Sequence, residues 1–226
     1  TMGSGSDNIT TGDAADIIIT TSANLNLNDT INAGDGTDIL KLSDDATVID
    51  ADFTNITFVE TLSGTGTANL TVTLGALATA AGITNVTLVD SGGTDTITLA
   101  AGFTNNITVV MVDDDNATNT ISAAAYTKVL TITAVDDELT AAHTITGGTG
   151  TSDELKITLT ASNDTVTTGI STMTAVEKIT TVGALGDITL VSANANIAAS
   201  KSMTVDATSM DDDSLTADFS AETSAG

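Results

Sequence analysis

The chain has 226 residues and a formal charge of −25, with 30 acidic residues set against five lysines (Lys41, Lys128, Lys156, Lys178 and Lys201), one histidine and no cysteine, proline or tryptophan. Five dispersed lysines cannot build a basic patch, which argues against nucleic acid and anionic membranes as partners. The absence of cysteine removes disulfides, thiolate zinc sites and cysteine nucleophiles from consideration. Apolar residues still make up 41% of the chain, so the acidity belongs to a sequence able to form a core.

The first 42 residues carry the clearest pattern. Gly3-Ser-Gly-Ser-Asp7-Asn-Ile9-Thr-Thr is followed directly by Gly12-Asp-Ala-Ala-Asp16-Ile-Ile18-Ile-Thr, which puts Asp7 and Asp16 nine residues apart. The step returns at Asn28-Asp29-Thr-Ile31 and Gly34-Asp35-Gly36-Thr37-Asp38, then breaks over Thr21 to Leu27 between the two pairs. Glycine allows the positive φ that brings turn carbonyls close to an ion, and aspartate supplies a hard charged oxygen at about 2.3–2.6 Å. The spacing therefore nominates Asp7, Asp13, Asp16, Asp29, Asp35 and Asp38, with Gly3, Gly5, Gly12, Gly34 and Gly36, as calcium ligands or turn formers. Aspartate far outnumbers glutamate throughout, as a short side chain working in turns requires.

Residues 43–226 read as a threonine-rich continuation. Strands are expected over 53–59, 69–74, 83–89, 95–99, 106–112, 128–133, 155–160, 176–182, 187–191 and 203–205, where apolar residues alternate with β-branched threonine and valine. The best helix signal, Leu74 to Gly82, is short and bounded by glycine. Asp35-Gly36 is the only two-residue hairpin signal, which disfavours an antiparallel sandwich. Phe53-Thr-Asn-Ile-Thr, Ile83-Thr-Asn-Val-Thr, Phe103-Thr-Asn-Asn-Ile-Thr, Tyr126-Thr-Lys-Val-Leu-Thr and Met173-Thr-Ala-Val-Glu are expected to mark one position in successive coils of about 20–30 residues. The fold class is thus all-β, a parallel β-solenoid of the β-roll or β-helix type. Eight or nine coils would make a rod of roughly 40 Å.

The Gly/Asp turns resemble the repeats-in-toxin nonapeptide, Gly-Gly-x-Gly-x-Asp-x-aliphatic-x. The aspartate slot of that motif falls on Asp7, Asp16, Asp29, Asp38 and Asp95, and on Asp153 after a one-residue insertion in Gly147-Gly-Thr-Gly-Thr-Ser-Asp153; Gly92, Gly93, Gly148 and Gly150 supply further turn glycines. Ala14 stands where the motif has glycine, so a few ion sites are expected rather than a continuous ladder. With the threonine-rich strands between them, these turns are similar to calcium-dependent S-layer proteins and giant cell-surface proteins of Gram-negative bacteria. That resemblance implies calcium as cofactor, type I secretion, an extracellular location and copies of the chain itself as partners. Cell-surface polysaccharide is a further implied partner.

Three acidic runs, Asp113–Asp115, Asp136–Glu138 and Asp211–Asp213, are candidate inter-subunit calcium sites or solvated turns. His143, the lone histidine, has no partner for zinc or nucleophilic chemistry and reads as a turn or strand residue. The expected function is structural and non-enzymatic: a calcium-stabilised solenoid that self-assembles into a surface layer or filament. The alternative is an adhesin module. A third reading, ice binding, rests on Thr-x-Thr pairs such as Thr71/Thr73 and Thr96/Thr98, whose sequence spacing drifts from coil to coil.

Overall fold

Alternating apolar residues in short β-branched runs need a shared interior, and corners rich in glycine and aspartate let the chain turn after each run. The computed structural model describes every residue except 67–68, 89–92, 113–117, 137, 140–142, 161–163, 167, 184–186, 194–195, 198–201, 211–213 and 222–226. The runs Asp113–Asp115 and Asp211–Asp213, together with Gly92 and Asp137, lie outside the described residues. The chain is all-β, a parallel β-solenoid of about seven turns with almost no helix. Among the described residues no helix is long and apolar enough to cross a membrane.

Two large sheets form its main faces. One has nine strands: Ile17–Thr20, Ile39–Leu42, Thr61–Ser63, Asn85–Thr87, Ile107–Val110, Leu130–Val135, Glu154–Thr158, Lys178–Val182 and Thr204–Asp206. The other has six: Ala46–Val48, Leu70–Leu74, Thr94–Leu99, Thr118–Ser122, Thr144–Thr146 and Met173–Thr174. Two three-stranded sheets complete the coils, one from Asn8–Thr10, Thr30–Asn32 and Ile56–Thr57, the other from Asp164–Val166, Ile188–Val191 and Leu215–Asp218. Pairing in the nine-stranded sheet continues from Ile39–Leu42 to Thr61–Ser63, so the two sequence stretches meeting at residue 42 share one sheet.

Register fixes the interior. Ile18, Leu40, Leu62, Val86, Val109, Ile132, Leu155 and Ile179 stack one above another through the nine-stranded sheet. Val48, Val72, Ile97, Ile121, Ile145 and Met173 form the facing stack in the six-stranded sheet. All fourteen are buried, and each contributes about 1.5–3 kcal/mol by leaving water. Outward positions of the six-stranded sheet align as two hydroxyl columns. Thr47, Thr71, Thr96, Thr120 and Thr144 make one. Thr73, Thr98, Ser122, Thr146 and Thr174 make the other.

The expected helix is present as Ala76–Ala81 and owes its start to the preceding coil. Asp50 accepts hydrogen bonds from the N–H groups of Gly75, Leu77 and Ala78 at 2.8, 3.2 and 2.9 Å, capping a six-residue helix whose own N-cap residue, Gly75, has no side chain to do so. Gly82, at φ +106°, ends it. The recurring phrase is only partly one position. Phe103 and Tyr126 each precede the paired residues Thr108 and Thr131 by the same five residues, and their rings lie 5.9 Å apart. Met173 stands at the same offset from Lys178. Phe53 and Ile83 do not: Ile83 lies two residues before Asn85, the partner of Thr108, and Phe53 ends a 3₁₀ turn ahead of Ile56–Thr57.

Leu62 lies mid-stack and fully buried, so Leu62→Ala should cost about 2–5 kcal/mol in urea unfolding followed by circular dichroism. The exposed Thr71→Ala should stay within about 0.5 kcal/mol of the parent. Equal effects of the two would contradict this division into core and surface.

Candidate metal-binding turns

The aspartate slot solves a backbone problem. Where a strand begins, the preceding residue's carbonyl already accepts from the next coil: Asp16 from the Ile39 N–H at 2.9 Å, Asp7 from Thr30 at 2.8 Å, Asp38 from Thr61 at 3.0 Å and Asp153 from Lys178 at 3.0 Å. The N–H of the same residue has no carbonyl to meet at the corner, and a carboxylate one coil ahead accepts it. Asp7 N–H donates to Asp29 Oδ1 at 2.9 Å, Asp16 to Asp38 Oδ1 at 2.8 Å, Asp38 to Glu60 Oε2 at 2.8 Å and Asp153 to Glu177 Oε2 at 3.0 Å. Each slot is thus clamped to its neighbour at both polar groups, and the bond from its N–H to the carboxylate is charge-assisted and of the stronger kind. Leu130 donates in the same way to Asp153 Oδ1 at 2.9 Å, and Leu70 to Asp95 Oδ1 at 2.6 Å. Even His143 serves: it is buried, its Nδ1 accepts the Asn119 N–H at 3.0 Å, and its Nε2 lies 3.5 Å from Glu138 Oε1.

The nine-residue step therefore does not join successive coils. Asp7 and Asp16 open two different faces of one coil, and their structural partners lie 22 residues ahead, at Asp29 and Asp38. The break over Thr21 to Leu27 is the third side of that coil, where Ser22–Asn24 forms a 3₁₀ turn. Within each corner the glycine spacing closes a local loop: Gly3 N–H donates to Asp7 Oδ2 at 3.0 Å and Gly12 N–H to Asp16 Oδ2 at 3.3 Å.

One carboxylate differs from the others. Asp29 and Asp153 are buried with both oxygens used, Asp29 Oδ2 by Asn26 N–H at 2.8 Å and Asp153 Oδ2 by Gly148 N–H at 2.6 Å. Asp38 is equally buried, but its Oδ2 meets no hydrogen-bond donor. A buried charged oxygen without a partner is costly, and a cation removes that cost. The turn leading into Asp38 packs against carbonyls of the first coil. A Cβ at Gly34 would lie 2.3 Å from the Gly12 oxygen, and one at Gly36 2.8 Å from that of Ala14, while both glycines have positive φ. Carboxylate and carbonyl oxygens are the donor set of a hard cation, so the residues of this turn pair fit calcium in kind. No group of three or more His, Cys, Asp or Glu side chains that could hold a metal occurs among the described residues, so backbone oxygen would have to supply most of the ligands.

Comparison of the chain with protein-family models, curated proteins and solved structures finds no match. Gly3, Gly5 and Gly12 face open space, and Asp13 and Asp35 are exposed at the corners, away from the buried rungs. Asp95 sits on the inner side of the six-stranded sheet, on a different face from Asp16 and Asp38. Asp153 belongs to the same sheet as Asp38 but several coils away, and burial together with its charge pushes the Tyr126 phenol well above its ordinary pKa. In the acidic run that starts at Asp136, Asp136 accepts the Thr160 N–H and hydroxyl, the latter at 2.7 Å. Glu60 and Glu177 were not nominated by sequence because the motif demands aspartate; both stand one coil length beyond a nominated residue.

Asp153→Ala strips two buried N–H groups of their acceptor, at about 1–3 kcal/mol each. Its melting temperature should fall by the same amount in calcium and in chelator. Asp38→Ala should also lose a rung and, if calcium binds at this turn, lose in addition the rise in melting temperature that binding would give the parent. An unchanged calcium response in Asp38→Ala would remove Asp38 from the candidate site.

Proposed function

We propose that this chain is a structural extracellular protein, a calcium-stabilised β-solenoid subunit that assembles with copies of itself into a surface layer or filament. The observation that carries the reading is the unpartnered, buried Oδ2 of Asp38 in a turn whose neighbours offer carbonyl oxygen. The charge of −25 adds to it, because cations relieve the self-repulsion that opposes both folding and close packing of copies. The likeness of the Gly/Asp turns to repeats-in-toxin and S-layer sequences supports the cell-surface setting, secretion by a type I route and attachment to cell-surface polysaccharide. A calcium ion would supply positive charge at the first two coils. Asp16 and Asp38 would hold those coils in register beside it.

Electron microscopy of the purified chain with calcium, and again after chelation, tests this directly. Ordered sheets or filaments that disperse on chelation are the expected result. Monomers that become more heat-stable with calcium but never polymerise would move the reading to an adhesin module. No change in melting temperature or assembly on chelation would contradict the calcium reading itself.

A further inference from the structure

The outer face of the six-stranded sheet combines aligned hydroxyl columns with the absence of any outward charge in its six strands. Its two hydroxyl columns run across consecutive coils with Thr paired to Thr except at Ser122, which pairs with Thr98 and Thr146. The only ionisable side chain in the six strands is Asp95, and it is buried on the inner side. On the nine-stranded sheet, by contrast, Lys178 bridges Glu154 at 3.1 Å and Asp206 at 3.3 Å, and Lys41 and Lys156 also stand in the strands. In a chain with 30 acidic residues, a charge-free face spanning this many coils needs an explanation.

Parallel pairing sets the grid at about 4.8 Å between coils and about 6.7 Å between alternate residues of a strand. Threonine is stiff at χ1, so its methyl and hydroxyl hold fixed positions with little rotamer entropy left to lose. Neighbouring rows are in contact, with Thr174 Oγ1 3.4 Å from Thr146 Oγ1. Such a surface anchors water at repeating positions without the tightly held shells that charges impose. A sugar-binding face would instead offer aromatic rings, and none of the six strands of this sheet contains one. The coil lengths that drift in sequence do not disturb the grid, because the differences are taken up at the corners while the strands keep register.

We propose that this face is a water-ordering surface that binds ice, a function separate from the assembly reading above. The test is ice-affinity partitioning with thermal hysteresis on the purified chain, in calcium and in chelator. The parent should be taken up into growing ice and depress its growth temperature. Thr98→Lys, at the centre of the grid, should lose both effects, whereas Thr131→Lys on the nine-stranded sheet should keep them. Circular dichroism checks that each variant folds; Thr71→Lys, at an exposed position of the same face, serves if Thr98→Lys does not. Ice binding in either arm supports the face whatever becomes of the calcium reading. Exclusion of the parent from ice in both arms, or equal loss in the variants of the two sheets, overturns it.

Discussion

A stacked coil has to hand its backbone hydrogen bonds to the next coil, and at the corners the ladder of carbonyls runs out. The rest of this structure depends on how that gap is closed. Asp16 N–H is taken by Asp38, Asp38 N–H by Glu60 and Asp153 N–H by Glu177, while the carbonyls of the same residues accept from the strand that follows. An unmet buried N–H costs about as much as a lost hydrogen bond, so each acidic corner locks register as well as adding stability. The high aspartate content is then a consequence of the architecture rather than of solubility alone.

Register in turn decides what each face can be. Because the side-chain period is two, a slip of one residue would bring threonine inward and turn Leu62, Ile132 and Ile97 out to water. Held in register, the interior becomes two continuous aliphatic stacks and the exterior becomes rows. Those rows differ: one large sheet carries lysine and glutamate, including the Glu154–Lys178–Asp206 bridge across three coils, and the other carries hydroxyls. The same rungs leave a local imbalance at Asp38, where the corner packs tightly against Gly12 and Ala14 and leaves a carboxylate oxygen over. Calcium linkage would follow from that imbalance.

Much of this was legible in the sequence. Alternation located strands such as Leu70–Leu74, Thr94–Leu99 and Leu130–Val135, and the glycine-flanked segment before Gly82 is the helix. Thr118–Ser122 and Thr144–Thr146 escaped because each carries a single aliphatic residue, Ile121 or Ile145, so the period of two does not stand out. The coil length was masked by its own corners. Two of the three sides begin with a Gly/Asp turn, which displays a step of nine, while the third side, Thr21 to Leu27, has no such signature. Hydroxyl columns were invisible for a related reason: pairing across coils of unequal length is set in space, and sequence spacing alone made Thr71/Thr73 and Thr96/Thr98 look out of phase. The spare oxygen of Asp38 depends on which donors reach it, something no motif encodes.

Hydrogen exchange resolved at single amides measures the corner rungs most directly. The account predicts that the N–H groups of Asp16, Asp38, Leu130 and Asp153 exchange as slowly as those in the adjoining strands. It further predicts that Asp153→Ala releases Leu130 and Gly148 while Ile132 and Leu155 stay protected. Exchange at these four amides as fast as in an unstructured peptide would contradict it.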